Sequence, residues 1–96
     1  MKKVLAMIID DVFFITGSGT IVTGQLLCDE VSINDPIIID PEFLPEFQSE
    51  ISKIETFRKF LKTASKGDNI GIQLKEVQKK QVKKGMKIYK LINDNI

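Results

Sequence analysis

Apolar and polar positions alternate over short runs along this chain, and the runs are separated by turn residues, a pattern of many short β-strands. Residues 8–16 are dominated by β-branched and aromatic side chains, which suit a pleated, half-buried surface, and residues 20–23 have the same character. Between them Gly17-Ser18-Gly19 supplies two positions free to take positive φ. The stretch 10–24, DDVFFITGSGTIVTG, is therefore predicted to be a β-hairpin around which the rest of the chain closes. Gly24 ends or bends its second strand, and residues 25–27 continue it.

Further along, Cys28-Asp29-Glu30 reads as a turn, residues 31–33 alternate briefly, and Asn34-Asp35-Pro36 is a turn cluster. Ile37-Ile38-Ile39 is a short apolar strand closed off by Asp40-Pro41. Residues 41–47 (PEFLPEF) carry two prolines and are expected to be an extended loop. Its Phe43, Leu44 and Phe47 either cap a core edge or form an exposed apolar patch. Residues 66–69 read as a turn, and 70–74 as a strand in which Gly71 marks close backbone approach. The lysine-rich stretch 75–84 reads as a surface loop or a single helical turn. A last strand spans 86–92, with Met86, Ile88 and Lys90 opposite Lys87, Tyr89 and Leu91, and 93–96 form a frayed tail.

One segment supports two readings. In residues 50–64 the apolar positions Ile51, Ile54, Phe57, Phe60, Leu61 and Ala64 fall at helical spacing, with Glu55 and Lys59 at i, i+4. The competing reading is two short strands broken near Glu55-Thr56.

Composition adds limits. Ninety-six residues suit one small domain, 1–96, and 43% apolar with 28% charged residues is ordinary for a globular chain. A single cysteine, Cys28, excludes an internal disulfide and fits a reducing compartment. The chain has no histidine, so the commonest metal ligand and general base is missing; neither a metal nor a cofactor is expected. The start, MKKVLAMIIDD, superficially resembles a signal peptide, but its apolar run is six residues long and meets two aspartates without a small-residue cleavage site. No stretch approaches a membrane span, and the expected location is cytoplasmic. Met1 directly before a workable first strand points to an independent chain. The overall charge of +1 hides an asymmetry. Residues 1–50 carry two lysines against nine acids, a net −7, whereas 51–96 carry twelve Lys/Arg against four acids, a net +8. Such polarity either steers an anionic partner or is simply solvated surface.

Gly17-Ser18-Gly19 is not a phosphate cradle, because no Lys-Ser/Thr follows it and the next residues are strand-like. Instead, DDVFFITGSGTIVTG resembles the opening of the second domain of elongation factor Tu-type translational GTPases, roughly D-V-F-x-I-x-G-x-G-T-V-V-T-G. Asn34-Asp35 and Ile37 stand where that family has a turn and then a strand. The stretch 53–59 (KIETFRK) resembles V-E-M-F-R-K, 66–72 (KGDNIGI) resembles A-G-D-N-V-G-L, and 82–85 (VKKG) matches I-x-R-G. The resemblance covers most of residues 9–90. It implies an all-β fold, a small closed antiparallel β-barrel of six or more strands, and hence strands rather than a helix in 50–64. In the family this barrel packs against the GTPase domain and helps hold the aminoacyl end of transfer RNA or contacts the ribosome. Carried over by position, the pocket residues implied here are Asp10, Asp11, Phe13, Thr23 and Asn69. Asp10 replaces a glutamate, Lys75-Glu76 an Arg-Gly, Asp29 and Asn34 common glycines, and Phe14 a residue usually small or polar.

No G-x-x-x-x-G-K-[ST] and no Asn-Lys-x-Asp is present, so GTP hydrolysis by that mechanism is not expected. The carboxylate pairs Asp10-Asp11 and Asp29-Glu30 are strand neighbours that point to opposite faces, a poor start for catalysis. The expected function is a non-catalytic binding module. Its partners would be transfer RNA or ribosomal components, gripped through a basic face of Lys75, Lys79, Lys80, Lys83, Lys84 and Lys87 with Phe13 and the Asp10-Asp11 pair taking a base or amino group. The alternative is a protein–protein or self-associating barrel without a nucleic-acid role, anchored by Phe14 and the PEFLPEF loop.

Overall fold

The computed structural model describes residues 1–93, so of the tail expected to fray, 94–96 lie outside the described residues. The described residues form ten strands: β1 (Lys2–Ile8), β2 (Asp11–Ile15), β3 (Gly19–Gln25), β4 (Glu30–Ser32), β5 (Pro36–Asp40), β6 (Phe47–Thr56), β7 (Lys59–Leu61), β8 (Thr63–Ser65), β9 (Asn69–Leu74) and β10 (Lys87–Ile92). A single 3-10 turn, η1 (Lys79–Gln81), interrupts the lysine-rich stretch. The main sheet runs β1-β10-β5-β6-β9-β3-β2, with β7 also on β6, and β4 pairs with β8 separately. Every pairing is antiparallel.

The core follows from strand alternation. One inward row crosses five strands as Val12–Val22–Ile72–Ile54–Leu61. A second crosses Met7–Ile88–Ile39–Phe47. Met7, Val22, Ile39, Ile54, Ile72 and Ile88 are all fully buried. Lys90 occupies an inward register between Val4 and Ile37, and its stem lies along the core while its ammonium reaches the Glu30 carbonyl at 2.9 Å and Asp35 at 3.5 Å.

Residues 50–64 form strands as the family resemblance implied, and the helical spacing comes from a bulge. The β6–β9 register shifts between Ile51 and Lys53, a bulge that inserts one extra residue. Inward positions therefore run Ser49, Ile51, then Ile54, imitating a helical step of three. Phe57 and Phe60, which a helix would bury, are exposed in the hairpin that follows. Residues 8–16 are not one strand: β1 ends at Ile8 and β2 begins at Asp11. Between them Ile9 exchanges backbone hydrogen bonds with the Gly85-Met86 turn, and the Asp10 amide donates to the Thr23 carbonyl at 2.7 Å. Likewise β3 stops at Gln25, where the Leu26 and Leu27 amides leave for Asp68 and Ala6.

The expected closed barrel is corrected as well: the strand path has two ends, β1 and β2, and no ladder among the described residues joins them. Where β1 passes β3, the contact is packing at Gly24 and the hydrogen bond from the Leu27 amide to the Ala6 carbonyl. The chain's own link between them spends the Ile9 amide on the Gly85-Met86 turn and the Asp10 amide on Thr23 of β3.

The loops divide between core and surface. In PEFLPEF Pro41 is buried and Phe47 packs on the core, whereas Phe43 and Leu44 are exposed. Asn34 takes φ +73°, the left-handed turn its residue type tolerates. The lysine-rich stretch is tied down by buried Val77 and Val82 and by Thr20, whose hydroxyl donates to the Val77 carbonyl at 2.6 Å. Thr20 is fully buried. Thr20→Val keeps the shape and removes the donor, so it should cost about 1–3 kcal/mol in denaturant unfolding. Amide exchange over residues 77–82 should accelerate with it. Cys28 is buried, and burial pushes its thiol above the ordinary range.

Candidate functional site: a groove across the outer face

The core row described above has a counterpart on the opposite face, displaced by one residue in each strand. It reads Asp11–Thr23–Gly71–Glu55–Phe60 across β2, β3, β9, β6 and β7. A second outer row reads Phe13–Ile21–Gln73–Lys53. Period-two alternation thus forces residues remote in sequence onto one surface.

The first row floors a groove of about 620 Å³, with Asp10 and Asp11 on one side and the 56–60 hairpin on the other. Gly71 and Asn69 contribute from β9. A side chain at Gly71 would bring its Cβ to 3.1 Å from Glu55 Cγ and 3.2 Å from Oε1, so glycine leaves the seat that the Glu55 carboxylate occupies. The Asp10–Thr23 backbone bond fixes Asp10 at the rim. Asn69 is anchored through its own carbonyl, which accepts from Thr56 Oγ1 at 3.4 Å.

The hairpin turn Phe57-Arg58 joins Thr56 to its partner Lys59, with Arg58 at φ +59°. Both turn side chains stand in solvent, the Arg58 guanidinium 5.1 Å from the Phe57 ring centre. Lys53 lies 5.6 Å over the Phe60 ring. A smaller hollow of about 130 Å³ adjoins the groove and shares Glu55 and Phe60 with it; Ile15, Ile21, Lys53 and Gln73 also line it. Carboxylates, a hydroxyl and an amide can accept or donate hydrogen bonds here, cations stand at the hairpin, and aromatic faces are open to stacking.

Of the five residues implied by resemblance, Asp10, Asp11, Thr23 and Asn69 line one groove, and Phe13 stands on the same face one row away, half exposed. The six lysines of the expected basic face are all exposed, yet none lines the groove. Lys75 instead faces Glu50 at 3.7 Å. Sequence reasoning did not single out Arg58, Lys59, Lys53 or Glu55 as site residues. The signal was present in the F-R-K motif, but only the long-range register places it opposite Asp11.

Fold and groove together define an antiparallel all-β domain with an open groove on its outer face. Over 81 residues, 83% of its length, the chain is 43% identical to the apicoplast elongation factor Tu of Plasmodium falciparum. The chain is an elongation factor Tu-like domain, and it spans about a fifth of that relative's length. No protein-family model matches it. Among the described residues no helix is long and apolar enough to cross a membrane.

Proposed function

We propose that the outer groove is a non-catalytic binding site for RNA of the translation machinery, with the single-stranded aminoacyl end of a transfer RNA as its ligand. One observation carries this reading. The strand register gathers Asp11, Thr23, Gly71, Glu55 and Phe60 into one row, with Asp10 and Asn69 beside it and Arg58 and Lys59 at the rim. The cations suit phosphates, the phenyl rings suit a base face, and the acidic rim suits an amino group. The exposed lysines of residues 75–87 serve as a second, non-specific attraction for the nucleic-acid body.

Cytoplasmic location and the absence of enzymatic activity belong to the same proposal. The groove offers carboxylates but neither a histidine nor a cysteine. Filter binding with aminoacylated and deacylated transfer RNA over a range of salt concentrations tests the reading. Binding should be strongest at low salt and should weaken linearly on a double-logarithmic plot. No binding to either RNA at low salt would exclude it.

A further inference from the structure

We propose that the chain also self-associates, a second copy adding its β2 to the free edge of this β2 in antiparallel fashion about a two-fold axis. Strand β2 terminates the main sheet and pairs only with β3. Apart from Val12, which packs on the core, its apolar side chains are open: Phe13, Phe14 and Ile15 are 49%, 56% and 48% exposed. The strand Asp11–Ile15 contains no lysine or proline, and its pairing with β3 shows no register shift. Lysine, proline and bulges are among the devices that ordinarily keep an exposed strand edge from pairing, and Phe13, Phe14 and Ile15, beyond the charge of Asp11 and the η1 turn that packs on the strand, carry none of them.

Charge selects both the partner and the direction. Asp10 and Asp11 stand at the start of β2. At the other end, Phe14 pairs with Thr20, whose hydroxyl donates to the Val77 carbonyl two residues before η1, and η1, with Lys79 and Lys80, packs against β2. An antiparallel two-fold centred on Phe13 sets the aspartates of each copy toward the lysines of the other, and this happens twice. Parallel pairing would stack aspartate on aspartate and is disfavoured. Centred this way, Phe13 meets its own copy and Asp11 faces Ile15, so the contact is isologous and closes as a dimer. Because edge-paired antiparallel strands share their faces, the two grooves would open on the same side of one continuous sheet.

Analytical ultracentrifugation of the whole chain without RNA tests this independently of the groove reading. A concentration-dependent monomer–dimer equilibrium is expected, weakened by salt. Phe14→Lys should raise the dissociation constant by about tenfold or more with an unchanged circular dichroism spectrum. The charge arrangement allows a stricter measurement. Asp10→Lys/Asp11→Lys and Lys79→Glu/Lys80→Glu chains should each dimerise poorly alone, yet form heterodimers when mixed, because every facing pair is then opposite in sign. A chain that stays monomeric at all concentrations overturns the proposal. So does a dimer that ignores both Phe14→Lys and the charge swaps.

Discussion

Gly24→Ala is expected to lower the unfolding free energy by about 3 kcal/mol, the upper part of the range for overpacking a close contact. The added Cβ would stand 2.7 Å from Met7 Cγ and 2.8 Å from the Ile8 carbonyl oxygen. The Met7 side chain can move; the carbonyl belongs to β1 and cannot yield without dragging the β1–β10 ladder. This is where β1 crosses β3 without a ladder, so the crossing depends on the two backbones lying in contact. With a urea slope of about 1.5 kcal/mol per molar, the midpoint should fall by about 2 M. A cycle with Met7→Ala separates the two parts of the cost. The double variant should lose less than the sum of the singles, and the shortfall is the part that Met7 contributed. A change within experimental error at Gly24→Ala would mean that the two strands do not approach as described.

The second large effect falls on binding. Arg58→Glu/Lys59→Glu should reduce transfer RNA affinity by about tenfold or more while leaving the urea midpoint nearly unchanged. Both side chains are exposed on the hairpin and neither forms part of the core. If both contact phosphates of a single strand, removing them should reduce the salt slope by about 1.4, at about 0.7 for each contact. The comparison is Lys79→Glu/Lys80→Glu, which lies outside the groove and should weaken all RNA alike without altering any preference for an aminoacylated end. Equal effects from the two pairs would mean that general basic charge, not the groove, holds the RNA.

Much of this architecture was legible in the chain. The hairpin at Gly17-Ser18-Gly19, the turns at Asn34 and Gly67 and the inward placement of Lys90 all follow from local chemistry. What escaped local reading was set by contacts distant in sequence. The bulge after Ile51 depends on how β6 meets β9, so residues 50–64 alone offered a helical spacing with nothing to contradict it. The break at Ile9-Asp10 depends on Gly85-Met86 and Thr23 accepting and donating the backbone bonds. The open strand path has the same origin.

The site divides in the same way. Asp10, Asp11, Thr23 and Asn69 came from motif resemblance, and the register brings them together. Their neighbours Glu55, Arg58 and Lys59 lie more than forty positions from Asp11 along the chain, and only the path β2-β3-β9-β6 makes them adjacent. The lysines between 75 and 87 are exposed, as the basic face expected of them requires, and none of them lines the groove.

The most direct test of the central claim is a nitrogen-15 chemical-shift map of the chain titrated with aminoacylated transfer RNA at low salt. Saturable shifts should concentrate on Asp11, Thr23, Glu55, Arg58, Asn69 and Gly71, and should fade as salt is raised. Shifts confined to residues 75–87, or none at all, would contradict the groove as the binding site.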